Sequence, residues 1–271
     1  MIIDAFTFFN EKELVELRIK YLDSIVDYFV VVEADVTHTG IKKNWNFPDV
    51  LNNQLKNFSH KIQYHKMKVD LEKAEKERSP NYADSKLGRS WKVESMQRNY
   101  IKIACEKFSD DDIIIISDLD EIPSKEKINF IKSCNFKEIA PVAFDQALFY
   151  LNCKYLSLER WIGSIALTKK HIDIYEPQIF RDFKNRISCF TEAGWSFSSF
   201  GGISRVREKF KAFVHQEYNK EMYINESHLL KSSKLGTDLF YRDIKKKKVE
   251  KEFFPGDLLK LLEQNPKFYF E

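Results

Sequence analysis

The chain has 271 residues, of which 43% are hydrophobic and 31% are charged, so we predict a soluble globular protein with room for one large domain. The formal net charge of +3 is too small to indicate a nucleic-acid partner. No stretch reaches the ~20 apolar residues of a membrane span, and no signal peptide opens the sequence. We therefore expect a cytoplasmic protein. The one membrane role that the sequence leaves open is peripheral contact with the inner face of the membrane.

The first half of the chain alternates predicted strands with predicted helices. Residues 2–9 predict a strand, and apolar residues at helical spacing predict a helix over residues 11–25. A second apolar run predicts a buried strand over residues 28–32. Strand, helix and strand at this length form a βαβ unit, which implies a parallel sheet. A third strand is predicted over residues 62–67 and a longer helix over residues 91–108.

The most informative stretch is an apolar run that ends in acidic residues. Residues 113–116 are all isoleucine and predict a strand buried on both faces, which Asp118, Asp120 and Glu121 follow at once. Open α/β sheets bind ligands at the carboxyl ends of such strands. Two carboxylates at this spacing can face one Mg²⁺ or Mn²⁺ ion, which would neutralise a departing diphosphate. We expect Asp120 to be the direct ligand and Asp118 to bind the metal or a ribose. The alternative is an acidic turn that caps the next helix.

Three further residues are candidates for the same site. Glu33 follows the second strand and could accept hydrogen bonds from a ribose or a base. Arg98, in the helix before the isoleucine strand, could bind a carboxylate or a phosphate with both arms of its guanidinium. His215 is a candidate third metal ligand beside Asp118 and Asp120. The alternative for Glu33 is a solvated acid, and the alternative for Arg98 is a surface ion pair. The alternative for His215 is a structural histidine.

The pattern changes in the second half of the chain. Residues 142–151 and 161–168 predict strands, residues 191–202 are rich in glycine, serine and aromatic residues, and residues 203–214 and 221–235 predict helices.

We predict one catalytic domain over residues 1–236. Its first half, residues 1–135, would bind a nucleotide-sugar donor. Its second half, residues 136–236, would bind the acceptor of the sugar. A helical or irregular tail follows over residues 237–271.

The glycine-rich stretch supplies candidates for acceptor binding and proton transfer. Gly194 permits close approach of a substrate, and Trp195 offers a flat apolar face to a sugar ring. Glu192 beside them could deprotonate an acceptor hydroxyl, with Asp145 as the alternative base.

With these residues in place, the chain resembles glycosyltransferase family 17, which includes the β-1,4-mannosyl-glycoprotein β-1,4-N-acetylglucosaminyltransferases. The matching segments are residues 8–11 with Leu14 and Arg18, residues 26–33, Trp91, Glu94, residues 98–99, residues 116–123, residues 193–198 and residues 210–215. The resemblance implies a GT-A-type α/β fold, Rossmann-like, with a mostly parallel central sheet flanked by helices. It also implies a UDP-sugar donor, UDP-GlcNAc above all, a Mn²⁺ or Mg²⁺ ion, and inversion at the anomeric carbon to give a β-linkage.

The resemblance extends to individual residues and partners. The residues that we expect to contact the donor are Phe8, Asn10, Glu11, Glu33, Arg98 and Asp118. The family often has histidine where this chain has Ser196, so the role of that histidine is absent here or lies elsewhere. The animal enzymes carry a membrane anchor, and we expect none in this chain. We therefore expect the glycan acceptor to be a surface glycan built in the cytosol, of the lipopolysaccharide or capsule type.

Two other functions fit parts of the sequence. A phosphatase of the haloacid-dehalogenase type would use Asp118 as its nucleophile. However, that motif normally opens its domain, and Ile122 stands where such enzymes usually have threonine or valine. A non-catalytic glycan-binding module would use Trp195 and its aromatic neighbours and would need neither the acids nor a metal.

Overall fold

The computed structural model describes residues 1–76 and 88–268, and these residues form eleven strands in one sheet. The strands are β1 (Ile2–Phe8), β2 (Tyr28–Ala34), β3 (Ile62–Met67), β4 (Ile113–Asp118), β5 (Glu121–Pro123), β6 (Val142–Tyr150), β7 (Tyr155–Ser157), β8 (Trp161–Thr168), β9 (Ser188–Phe190), β10 (Gly194–Ser198) and β11 (Lys246–Lys248). The last three residues of the predicted tail, 269–271, lie outside the described residues.

Helices cover both faces of this sheet. The α-helices of the described ranges are α1 (Lys12–Leu22), α2 (Phe47–Asn52), α3 (Leu71–Lys76), α4 (Arg89–Ala104), α5 (Lys125–Ser133), α6 (Lys169–Ile174), α7 (Pro177–Asp182), α8 (Ile203–Ala212), α9 (Glu221–Ile224), α10 (Glu226–Leu235) and α11 (Gly256–Glu263). Short 3-10 helices are Lys56–Lys61, Phe136–Glu138, Lys184–Arg186, Gln216–Tyr218, Lys251–Phe253 and Pro266–Phe268. No helix of the described residues is long and apolar enough to cross a membrane.

Four parallel strands form the first part of the sheet, in the order β3-β2-β1-β4. The predicted βαβ unit is therefore confirmed. Helix α1 packs on one face and α4 on the other, and the strand order reverses between β1 and β4. In doubly wound sheets, ligands bind outside the carboxyl ends of the strands at such a reversal.

The second part of the sheet is antiparallel. Strand β8 runs antiparallel to β4, and β6 runs antiparallel to β8. The α/β class is confirmed, while the sheet as a whole is mixed rather than mostly parallel. Because β6 returns to the direction of β4, the carboxyl ends of β1, β2, β4 and β6 lie along one edge of the sheet.

The isoleucine strand shows how the two faces of the sheet are filled. Successive side chains of a strand point to opposite faces. Ile115 belongs to the apolar cluster beneath α1, whereas Ile114 and Ile116 belong to the cluster beneath α4. A third, smaller cluster holds α8, α9 and α10 together. The run of four isoleucines is thus explained by burial on both sides, as predicted.

The last helices differ from their predicted form. The single helix expected over residues 221–235 is two helices, because Asn225 is extended and caps α10 by accepting a hydrogen bond from the His228 amide at 2.8 Å. The segment after residue 236 packs into the main fold. Strand β11 pairs with β7, and Leu258 and Leu262 of α11 join the cluster beneath α1.

Candidate active site

A cavity of about 650 Å³ opens at the edge of the sheet where β1, β4 and β6 end. Its floor is formed by Asp118 at the end of β4 and by Asp120 in the turn between β4 and β5. Phe9 follows β1 on one side, and Tyr150 ends β6 on the other. Helices α4, α7 and α8 supply the remaining walls.

A buried arginine fixes the turn that forms this floor. Arg18 of α1 is fully buried, and its Nε and Nη2 atoms donate to the two carboxylate oxygens of Asp4 at 2.7 and 2.6 Å. Its Nη1 atom donates to the carbonyl oxygens of Asp118, Leu119 and Glu121 at 3.2, 3.0 and 2.7 Å. The guanidinium therefore donates to three backbone carbonyls at and beside this turn, of which that of Glu121 also accepts from Ser164 Oγ at 3.1 Å.

Asp118 lies between two arginines. One carboxylate oxygen accepts from Arg98 Nη2 at 2.8 Å, and the other accepts from Arg181 Nη2 at 2.7 Å. Burial raises the pKa of Asp118, but attraction by Arg181 and Arg98 outweighs it and holds the pKa well below its usual range. Arg181 also bonds buried Glu121 at 2.6 Å, whose carboxylate accepts in addition from Trp161 Nε1 at 3.0 Å. Asp118 is thus an ionised anchor for two cations.

Asp120 has a different partner. One of its carboxylate oxygens accepts from Lys209 Nζ of α8 at 2.9 Å. Burial lowers the pKa of Lys209, but attraction by Asp120 and Glu11 outweighs it and raises the pKa above its usual value. Lys209 therefore stays charged and lies over the carboxylate predicted to bind a metal.

The described residues contain no group of three or more His, Cys, Asp or Glu side chains that could hold a metal ion. His215 lines the cavity, but its Nδ1 atom lies 2.7 Å from Glu217 and its ring packs edge-on against Trp91 at 4.8 Å. Both oxygens of Asp118 already accept from arginines. Asp120 alone fits a magnesium-type site, in which one carboxylate is enough when substrate phosphates and water supply the other oxygens.

A smaller pocket of about 80 Å³ adjoins the cavity at the ends of β1 and β2. Phe8, Phe9 and Glu11 line both spaces. Gln97 of α4 fixes this corner, because its amide donates to the Val32 carbonyl at 3.1 Å. Asn10 lies nearby in the chain, outside the residues that line either pocket, and its buried Nδ2 atom has no hydrogen-bond partner among the described residues.

Glu33 does not have the environment predicted for a ligand contact. It is fully buried and holds the start of α2 through the backbone amides of Asn46 at 2.7 Å and Phe47 at 3.1 Å. It also accepts from Tyr64 Oη at 2.7 Å and pairs with Lys43. Its carboxylate is saturated by the protein, so the prediction that it binds a ribose or base is corrected.

The prediction for Gly194 and Trp195 is corrected as well. Trp195 is 7% exposed and packs edge-on against Tyr21 at 5.9 Å in the core. Gly194 lies against β5, where a Cβ atom would come within 2.2 Å of the Ile122 carbonyl oxygen. Because side chains alternate along β10, the serine that follows the tryptophan, Ser196, lines the cavity in its place.

Neither predicted base lines the cavity. Asp145 of β6 accepts from Arg160 Nε at 2.9 Å. Glu192 is exposed in the turn between β9 and β10, with a left-handed φ of 50°. Carboxylates that do line the cavity beside the two aspartates of the turn include Glu94 of α4 and Asp182 of α7.

Sequence reasoning missed most of the cationic part of the site. Arg181, Lys184 and Lys209 all line the cavity. Lys184 Nζ lies 4.4 Å from the ring centre of Trp161, and burial lowers its pKa to about 8. A single basic residue in a short helix carries no spacing signal, so nothing in the sequence singled these residues out.

Comparison with known proteins gives one family. The sequence model of glycosyltransferase family 17 matches residues 1–248. Among curated protein sequences, none matches the chain.

Among solved structures, the chain is similar to 4-diphosphocytidyl-2C-methyl-D-erythritol synthase from Anaerococcus prevotii, with 10% identity over 71% of this chain and 87% of that chain and a TM-score of 0.42. It is also similar to HddC from Yersinia pseudotuberculosis, with 14% identity over 71% of this chain and 90% of that chain and a TM-score of 0.38. A third similar structure is a galactosyltransferase in complex with donor and acceptor sugar analogues. It has 14% identity over 68% of this chain and 65% of that chain and a TM-score of 0.37.

Proposed function

The chain belongs to glycosyltransferase family 17, and we propose that it transfers a sugar from a UDP-sugar to a hydroxyl of a glycan acceptor in the cavity described above. One observation carries the proposal: the turn after β4 presents Asp120 with Lys209, beside the cluster of Asp118, Arg98 and Arg181. Because the chain belongs to a family of glycosyltransferases, the phosphatase and glycan-binding alternatives are wrong. The phosphatase alternative also needs Asp118 as a free nucleophile, and both of its oxygens are bonded to arginines.

The nucleoside of the donor would lie at the ends of β1 and β2. Phe8, Phe9 and Glu11 supply an apolar wall and a carboxylate there, and the adjoining pocket has room for a flat ring. The predicted donor contact of Asn10 is not part of this proposal, because its amide nitrogen is buried and the residue lines neither the cavity nor the adjoining pocket.

The diphosphate would lie over the floor of the cavity. Lys209 can leave Asp120 for a phosphate oxygen, and Arg98 and Arg181 add positive charge within the same wall. Asp120 would then hold a Mn²⁺ or Mg²⁺ ion together with the phosphates. When bound, the metal supplies neutralisation of the charge on the departing UDP. Asp118 acts on this chemistry by holding the two arginines.

We propose Glu94 as the general base. Trp91, Glu94 and Arg98 lie three and four residues apart on the cavity face of α4. Glu94 therefore lies between Trp91 and Arg98, the residue that bonds Asp118 of the floor. Its Oε1 atom accepts from Arg98 at 3.3 Å. In the reaction, the acceptor oxygen attacks the anomeric carbon, the bond to the UDP oxygen breaks, and the hydroxyl proton passes to Glu94. Attack opposite the leaving group inverts the anomeric carbon and gives a β-linkage.

The sugar and the product follow from the family resemblance. We propose GlcNAc as the sugar and a cytosolic precursor of a surface glycan as the acceptor. The enzyme would then work in the cytoplasm, in peripheral contact with the membrane.

The test is a screen of UDP-sugars for Mn²⁺-dependent release of UDP. We expect release from one donor, and we expect Asp120→Asn to abolish it. Asp111→Asn is the matched control, because Asp111 is exposed and pairs with Lys137 far from the cavity. The proposal is wrong if no UDP-sugar is turned over, or if Asp120→Asn keeps the wild-type rate.

A further inference from the structure

One wall of the cavity is built from aromatic side chains. The residues of this wall, all of which line the cavity, are Trp91, Tyr150, His215, Tyr218 and Phe240. We call this set the aromatic wall. Neighbouring rings touch one another. Tyr218 lies 4.1 Å from Phe240, His215 lies 5.9 Å from Tyr218, and Trp91 lies 4.8 Å from His215, measured between ring centres.

The aromatic wall has a rigid support. Phe240 packs on Phe210 at 5.6 Å, and Phe210 belongs to the apolar cluster that holds α8, α9 and α10. Leu239, next to Phe240, is fully buried in the same cluster. A supported ring keeps its orientation, so a ligand that stacks on it pays little ordering entropy.

Polar groups border the aromatic wall. Arg242 lines the cavity with its guanidinium carbon 4.9 Å from the Phe240 ring centre, and its Nη2 atom lies 3.4 Å from Tyr150 Oη. Ser196 and Ser198 of β10 also line the cavity, and Ser198 is the partner of Tyr150 in the pairing of β10 with β6. Aromatic faces bordered by a few hydrogen-bonding groups suit a ligand that has both an apolar face and several hydroxyls.

The position of the aromatic wall separates it from the nucleoside end. Tyr150 ends β6, which is three strand positions from β1 in the sheet order, or roughly 14 Å at the usual strand spacing. The floor with Asp120 lies between the two, at the end of β4. On α4, Glu94 follows Trp91 by three residues, close to one helical turn, and Arg98, which bonds Asp118 of the floor, follows Glu94 by four. The proposed base therefore lies where the wall meets the floor.

We infer that the aromatic wall is the acceptor subsite and that it binds a pyranose ring of the acceptor glycan. The apolar face of the ring stacks on Tyr218 and Trp91, and Arg242 and Ser198 take its hydroxyls. This inference rests on the proposed function, because it uses the donor position to identify the other end of the cavity. It replaces Trp195, which is buried, with residues that a sugar can reach.

The experiment uses octyl β-glycosides of glucose, galactose, mannose and GlcNAc as probes. Saturation-transfer NMR on the full chain detects which ring protons touch the protein, and the variants are Tyr218→Ala and Trp91→Ala. Tyr241→Ala is the matched control, since Tyr241 is adjacent to Phe240 but 60% exposed and outside the cavity lining. We expect transfer to the pyranose protons of at least one glycoside in the wild type. In both wall variants its affinity should fall by about fivefold to tenfold, the loss typical of one stacking contact.

Calorimetry with UDP separates this inference from the donor assignment. The loss of glycoside affinity in the wall variants is expected to exceed any loss of UDP affinity, and the control variant is expected to keep both. Equal losses for UDP and glycoside would mean that the aromatic wall holds the nucleoside and would overturn the inference. So would a wild type that binds no glycoside although it releases UDP. Glycoside binding without any UDP release would leave the subsite standing and overturn the donor assignment.

Discussion

Replacing Arg18 by methionine removes the guanidinium that ties α1 to the floor of the cavity, and it leaves the Asp4 carboxylate buried without its partner. Both side chains have no exposed surface. Breaking a fully buried ion pair from one side costs about 3–5 kcal/mol. For a domain of this size, we expect the melting temperature to fall by roughly 6–20 °C.

A second variant separates stability from positioning. In Asp4→Leu/Arg18→Met, both buried charges are gone, so we expect part of the lost stability to return. Full recovery is not expected, because the carbonyls of Asp118 and Leu119 still lose their Arg18 donor, at about 1–3 kcal/mol for each group left unpaired, whereas the Glu121 carbonyl keeps its bond from Ser164 Oγ. UDP release should stay low in the double variant, since the turn that carries Asp120 is no longer held.

Urea unfolding followed by circular dichroism measures the first effect, and UDP release measures the second. Lys20→Met is the control on the same helix, because Lys20 is partly exposed and pairs with Glu16. The reasoning is refuted if Arg18→Met unfolds within about 1 kcal/mol of the wild type, or if the double variant regains normal UDP release.

Three further predictions concern single residues. Because burial lowers the pKa of Lys184 to about 8, the cavity loses a positive charge as the pH rises through that value. UDP affinity measured by calorimetry should therefore fall several-fold between about pH 7 and about pH 9, and Lys184→Met should lack that fall; an equal fall in the variant contradicts this. Glu94→Gln should lower kcat for sugar transfer by about 10²–10⁴ with a much smaller effect on UDP affinity, and a normal kcat excludes Glu94 as the base. Gly194→Ala should lower the free energy of unfolding by about 1–3 kcal/mol, because its Cβ would meet the Ile122 carbonyl. Gly256→Ala, where a Cβ meets nothing within 4 Å, should stay close to the wild type in the same urea titration.

The sequence predicted the parallel part of the fold because that part rests on hydrophobic periodicity. A strand buried on both faces needs an unbroken apolar run, and the four isoleucines at residues 113–116 of β4 form one. The direction of β8 could not be predicted in the same way. Its bounds were predicted correctly over residues 161–168, but an apolar strand carries no signal that distinguishes parallel from antiparallel pairing.

The acidic residues of the candidate site and Arg98 were predicted from the sequence, whereas its other cationic residues were missed. Asp118 and Asp120 were identified because they follow a buried strand, and the end of such a strand has a known position in the sheet. Their partners Arg181 and Lys209 come from helices 63 and 89 residues further along the chain, where packing alone brings them back. Trp195 illustrates a second limit. Residues 191–202 were described only as rich in glycine, serine and aromatic residues, and the face of β10 that turns to the core is set by pairing with β5 and β6.

The central claim is that Asp120 and Lys209 hold the diphosphate of a UDP-sugar at the end of β4. Calorimetric titration of UDP with Mn²⁺ into the wild type, Lys209→Met and Lys211→Met tests it most directly. Lys211 is exposed on the same helix and does not line the cavity, so it controls for charge. We expect Lys209→Met to lose about tenfold or more in UDP affinity, the value of one charged hydrogen bond, and Lys211→Met to stay near the wild type. Equal UDP affinity in all three proteins, or no UDP binding to the wild type, would contradict the claim.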